Sequence, residues 1–101
     1  MSKNTSKQKG NRFERLVVNI AKEKDIEAIR AWGSNGKSLG MHEEVDCLIG
    51  GQKVQCKCRK RIASWIKVPD ECDVTMVKED RGEVYVITRY NDWLKERSLL
   101  S

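Results

Sequence analysis

No stretch of this 101-residue chain approaches the roughly 20 consecutive apolar residues that a membrane-spanning helix needs. The amino terminus, residues 1–12, is polar and lysine-bearing with no apolar centre, so neither an anchor nor an export signal is expected. Internal repeats are absent and there is no length for a second domain, which leaves one domain with a modest core as the expected organisation. Proline occurs once, at Pro69, and histidine once, at His42. Cysteine occurs four times, and without an export signal the four are read as free thiols of a reducing compartment, the cytoplasm, rather than as two disulfides. Charge, by contrast, is plentiful. Charged residues make up 35% of the chain, the net charge is +5 and the pI is near 9.1, a balance that suits an anionic partner and nucleic acid first.

Residues 1–10 are dominated by Ser, Asn, Gln, Gly and Lys and are expected to form a flexible basic arm, because they cannot bury enough surface to offset the entropy of ordering. From Asn11 the pattern changes. Phe13, Leu16, Val17 and Ile20 fall at helical spacing and predict a helix ending near Lys24. Alternation over residues 26–32 predicts a strand, and residues 33–40 a loop. Strands are predicted over 45–49 and 53–58, paired as a hairpin about Gly50 and Gly51. Residues 59–67 read as a short helix or an irregular crossover, which Pro69 prevents from continuing. A second strand pair, 74–78 and 83–89, flanks the turn 79–82, and Asn91 or Asp92 is expected to cap a final helix through Arg97. That order predicts one domain over residues 11–101, an α/β sandwich around a mixed sheet.

The chemistry concentrates in the first hairpin. Side chains alternate along a strand, so Val54, Cys56 and Cys58 share one face of theirs while Lys53, Gln55 and Lys57 share the other. On the preceding strand Val45, Cys47 and Ile49 are expected to face the core and Asp46 the opposite way, beside Leu48, which brings Asp46 near Gln55 and Lys57. A carboxylate, a carbonyl oxygen and an ammonium on one sheet face suit phosphodiester hydrolysis. Hard oxygen ligands hold Mg²⁺, which offsets charge developing on the phosphate, and Lys57 is expected to orient or help deprotonate the attacking water. An arbitrary Gln-x-Lys on a strand carries no such meaning by itself; the context supplies it.

The run Glu44, Val45, Asp46, Cys47, Leu48, Ile49, a glycine turn, then Val54, Gln55, Cys56, Lys57 resembles the PD-(D/E)XK nuclease signature, in which an acid is followed after a hairpin by a second ligand two residues before lysine. Most of that superfamily carries Asp or Glu at the second position. The Gln55 found here is similar to the usual occupant in Mrr-type restriction endonucleases, and it removes one negative charge from the implied metal site. Gly10, Asn11, Arg12, Phe13, Glu14 and Arg15 open the first helix much as in the archaeal-type Holliday junction resolvases. The resemblance implies a restriction-endonuclease-like three-layer sandwich with a central mixed sheet flanked by helices. It also implies Mg²⁺ or Mn²⁺ held by Asp46, Gln55 and Glu14, and Ser34 of the Gly33-Ser34 pair as a phosphate contact. Viewed down the helix, Glu14 lies between Val18 and Ala21, which predicts an inward-facing carboxylate in need of a partner; on the alternative, it pairs at the surface with Arg15 or Lys22. The activity implied is the cutting of four-way DNA junctions by a homodimer, since a two-fold junction calls for two identical sites.

Arg12, Lys37, Arg59, Lys60, Arg61 and Lys67, with Lys3, Lys7 and Lys9 of the arm, are expected to meet the DNA backbone. Trp65 either stacks on an exposed base or fills a core or dimer contact. His42, and the charge of Glu43 and Glu44, stand close enough in sequence to Asp46 to approach the same phosphate and metal. Cys47, Cys56, Cys58 and Cys72 with His42 contain enough ligands for zinc, but the C-x-C spacing on a strand argues against a zinc knuckle. Two further readings remain open: an Mrr-like nuclease acting on linear or modified duplex, and a non-catalytic DNA-binding protein that keeps the fold.

Overall fold

Lys7, Gln8 and Lys9 are good helix formers, and in the computed structural model, which describes residues 5–31 and 36–100, they lie within helix α1, Thr5–Glu23. The helix therefore starts six residues before Asn11, over much of the segment expected to be a flexible arm, because apolar periodicity marks only the part of a helix that packs. Its buried stripe also differs from the expected one. Glu14, Val17, Val18 and Ala21, spaced i, i+3, i+4 and i+7, face inward, whereas Leu16 is 54% exposed and Phe13 and Ile20 are half-buried. The helix stops where Asp25 adopts φ 60°. The Asp25 amide bonds the Lys22 carbonyl and the Ile26 amide bonds that of Ala21, a Schellman closure that turns the chain into the first strand.

The chain forms two compact units, residues 1–58 and 59–101. In the first, β1 (Ala28–Arg30), β2 (Cys47–Ile49) and β3 (Gln52–Val54) form an antiparallel sheet in that order. Each is shorter than predicted. The β2–β3 turn is Gly50 and Gly51, both at positive φ (54° and 81°), as a two-residue hairpin of right-handed strands demands. Between β1 and β2 the expected loop contains a 3-10 turn, Gly36–Leu39. The core joins Val17, Val18 and Ala21 of α1 to Ile26, Ala28, Ala31, Cys47 and Ile49.

In the second unit the predicted crossover is irregular apart from one 3-10 turn, Ser64–Ile66. Trp65 in that turn is 66% exposed, so it does not fill a core. Strands β4 (Val74–Lys78) and β5 (Val84–Thr88) pair antiparallel about the turn in which the Gly82 amide bonds the Glu79 carbonyl. Helix α2 spans Tyr90–Leu100 and begins before Asn91 and Asp92, which therefore lie inside its first turn and do not cap it. Arg89, just ahead of it, donates to the carbonyls of Cys72 (3.0 Å), Val68 (3.3 Å) and Pro69 (2.8 Å), tying the turn before β4 to the end of β5. Among the described residues the chain is α/β, with two helices and two antiparallel sheets. Every ladder among the described residues is antiparallel, β2–β3 and β4–β5 because short hairpins permit nothing else.

Candidate active site

Strict alternation predicts Asp46 facing away from the side that Cys47 buries. Yet Asp46 is only 9% exposed and Cys47 is fully buried. The backbone explains why. The Asp46 amide donates to the Val54 carbonyl at 2.8 Å, although Val54 is the register partner of Cys47, so two residues on one strand oppose one on the next. Such a β-bulge breaks alternation and re-aims a side chain. The Asp46 carbonyl in turn accepts the Ala31 amide at 2.8 Å, holding the bulge from the β1 side. Re-aimed in this way, Asp46 Oδ2 accepts the Cys56 amide at 2.7 Å. A hydrogen bond to a charged acceptor contributes about 1.5–3 kcal/mol, which offsets part of the cost of burying the carboxylate.

Cys56 stands between Gln55 and Lys57. The chain beyond Val54 leaves the ladder but stays alternating in exposure, with Gln55 and Lys57 outward and Cys56 and Cys58 half-buried. Asp46 thus reaches this segment through its backbone from the buried side, and does not face solvent beside Gln55 and Lys57.

Glu14 is 5% exposed on the inward stripe of α1. Arg30 of β1 donates from Nε to Glu14 Oε1 at 3.0 Å, and its terminal nitrogen reaches Asn11 Oδ1 at 3.4 Å. Sequence reasoning gave Glu14 an inward direction and a need for a partner, but it named only Arg15 and Lys22 and missed Arg30. The one available signal was phase, since Arg30 lies two residues from buried Ala28 and so on the same side of its strand.

The acids converge on a thiol pair. Cys47 and Cys56 hold their sulfurs 4.0 Å apart. The Cys47 thiol is pushed far above its usual range by the hydrogen bond it shares with the Cys56 sulfur, by burial, and by the charges of Cys56, Glu14 and Asp46. Cys56 is pulled down by the same bond, against its burial and the same two carboxylates. The charges of Glu14 and Asp46 both raise both thiols, so each acid lies within electrostatic reach of the sulfur pair.

Other expected members lie elsewhere. His42 Nδ1 accepts the Glu44 amide at 3.1 Å and its ring serves the local turn. Lys37 pairs with Glu43 at 3.5 Å, both well exposed, so the carboxylate of Glu43 balances a lysine. Lys7, Lys9 and Arg12 are exposed on α1, and Arg59, Lys60, Arg61 and Lys67 are exposed in the second unit. Ser34 and Gly33, like Lys3, lie outside the described residues. None of the four cysteines is in a disulfide, Cys72 is exposed, and among the described residues no three His, Cys, Asp or Glu side chains gather as metal donors. Two carboxylates and an amide carbonyl are a different matter: all are hard oxygens, and Mg²⁺ uses one or two carboxylates, retained waters and substrate phosphate. The donor chemistry fits Mg²⁺ or Mn²⁺.

No curated protein and no solved structure matches the chain. The family model described as archaeal Holliday junction resolvase (Hjc) matches residues 5–96, a span that takes in α1, the bulged hairpin with Asp46 and the Gln55–Lys57 segment, and the chain belongs to that family.

Proposed function

We propose that the chain is a Mg²⁺- or Mn²⁺-dependent, structure-selective endonuclease that resolves four-way DNA junctions as a homodimer, with Asp46, Gln55, Lys57 and Glu14 at its catalytic centre. Its family is one of Holliday junction resolvases, nucleases of DNA recombination and repair with a restriction-endonuclease-like fold, and two helices with two antiparallel sheets agree with that fold. No helix among the described residues is long and apolar enough to cross a membrane. The observation that carries the reading is the buried Asp46 carboxylate bonded to the amide between Gln55 and Lys57.

In this reading Asp46 is the principal metal ligand. Its Oδ2 is oriented by the Cys56 amide, and a carboxylate has further lone pairs to offer. Gln55 supplies a neutral carbonyl ligand, and Glu14, fixed by Arg30, supplies the second acid or orients a bound water. When bound, the cation supplies positive charge against the phosphate oxygens and lowers the pKa of coordinated water. Lys57 orients the water that attacks phosphorus and takes part in its deprotonation, and the bond to the leaving sugar oxygen breaks opposite the incoming oxygen. Ser34 is assigned a phosphate contact. Arg12, Lys37, Arg59, Lys60, Arg61 and Lys67 hold the backbone without reading sequence. A four-way junction has two-fold symmetry, so paired cuts call for two copies of the site.

The test incubates the protein with labelled four-way junction, linear duplex and single strand, with and without Mg²⁺, beside Asp46→Asn and Lys57→Ala. Paired nicks confined to the junction are expected, lost without Mg²⁺ and reduced about 100-fold or more in each variant, within the range that removing a catalytic acid–base group produces. Cleavage of linear duplex instead supports the Mrr-like reading that Gln55 favours. Binding with no cutting supports a non-catalytic DNA-binding protein.

A further inference from the structure

We propose that Cys47 and Cys56 are a reversible oxidation site, closed to a disulfide by a hydroperoxide, and that closure draws the Cys56 amide away from the Asp46 carboxylate. Three observations carry this. The two sulfurs are already 4.0 Å apart and must approach by only about 2 Å to reach the S–S bond length of ~2.05 Å. One partner is fixed and the other is not. Cys47 is fully buried within β2 and its ladder, whereas Cys56 lies past Val54, the last residue of β3, in extended chain outside the ladder. The Cys56 backbone is tied back by its amide's 2.7 Å bond to Asp46 Oδ2. The proposal places the backbone adjustment that accompanies closure on that bond, which lengthening by 1 Å takes outside hydrogen-bonding range.

Access sets the order of events. Cys56 is half-buried and reachable, so its sulfur attacks a hydroperoxide oxygen: an S–O bond forms, the O–O bond breaks, and the alcohol or water leaves with the thiol proton. Cys47 sulfur then attacks the Cys56 sulfenic acid: the S–S bond forms, the S–O bond breaks, and water leaves with the Cys47 proton. Two thiols and one hydroperoxide give one disulfide, one alcohol or water, and one water. A dithiol reductant reverses it by thiol–disulfide exchange. The effect on cleavage rests on the active-site reading above, while the bond and the amide displacement do not.

The experiment treats the full chain with hydrogen peroxide and follows three readouts. Trypsin separates Cys47, in residues 38–53, from Cys56, in residues 54–57, and from Cys58, in the fragment after Lys57. Fragments 38–53 and 54–57 should appear covalently joined, the link should vanish with dithiothreitol, and Cys56→Ser should lack it while Cys72→Ser keeps it. Hydrogen exchange of the Cys56 amide should speed up at least tenfold on oxidation and return on reduction. Junction cleavage should fall at least tenfold and recover with dithiothreitol, and in Cys56→Ser it should be insensitive to peroxide. Over-oxidised Cys56 without the link, or a link formed through Cys58 or Cys72, overturns the proposal, as does a link that leaves the Cys56 amide protected. A reduced protein that cuts no DNA sinks the nuclease reading, and the link and the amide exchange still decide this one.

Discussion

Burial of Glu14 beside Arg30 creates a dependence that single substitutions expose. The carboxylate is nearly inaccessible and the guanidinium about a quarter exposed, so removing the arginine takes a charged partner from a buried carboxylate while removing both charges together does not. Arg30→Ala is expected to destabilise the protein by about 2–3 kcal/mol, near the lower end for breaking a buried pair because Arg30 is partly solvated. The double variant Arg30→Ala with Glu14→Gln should lose less than Arg30→Ala alone, a difference that urea denaturation of the two measures. Equal losses would show that packing of the arginine stem, and not the ion pair, supports Glu14. Much about Glu14 was legible in sequence, because helical geometry alone points it inward. Its partner was not, since a pair sixteen residues apart leaves no local trace. Asp46 was singled out by its motif, while its burial was not legible, because a bulge breaks the alternation on which strand-face reasoning depends.

Helix α1 and the first hairpin show which features of an element sequence can reveal. Gly50 and Gly51 announce their turn, because two successive positive φ values suit few other residues, and Val74–Lys78 was predicted residue for residue from its β-branched run. The start of α1 was missed because Lys7, Gln8 and Lys9 favour helix without any apolar rhythm to mark it. Gly10 within that helix tests the assignment. A Cβ added there meets nothing within 4 Å, so Gly10→Ala should raise stability by about 0.5–1 kcal/mol. Thermal melts and far-ultraviolet circular dichroism would record higher helicity with a higher midpoint. A fall in both would mean that residues 5–10 are not helical in solution. The ends of β3 mislead in the opposite direction. Exposure alternates through Cys58 as in a strand, yet the ladder ends at Val54, and that freed segment carries Gln55, Cys56 and Lys57.

A net charge of +5 on 101 residues makes association with DNA chiefly a matter of counterion release. The logarithm of the binding constant for junction DNA should fall steeply with the logarithm of salt concentration. Replacing Arg59, Lys60 and Arg61 together with alanine should flatten that slope by about 2–3, at roughly 0.9 per phosphate contact. An unchanged slope would remove those three residues from the interface. The family match runs over residues 5–96 and so spans both units, and the account of catalysis is confined to the first, where Asp46, Gln55, Lys57 and Glu14 lie. The proposed catalysis turns on a divalent ion at Asp46. The decisive measurement is paramagnetic broadening of backbone amide resonances by substoichiometric Mn²⁺. The account expects broadening centred on Asp46 and on Gln55 to Lys57, displaced by excess Mg²⁺ and abolished in Asp46→Asn. Broadening centred instead on Glu43 and Glu44, or unchanged in Asp46→Asn, would contradict it.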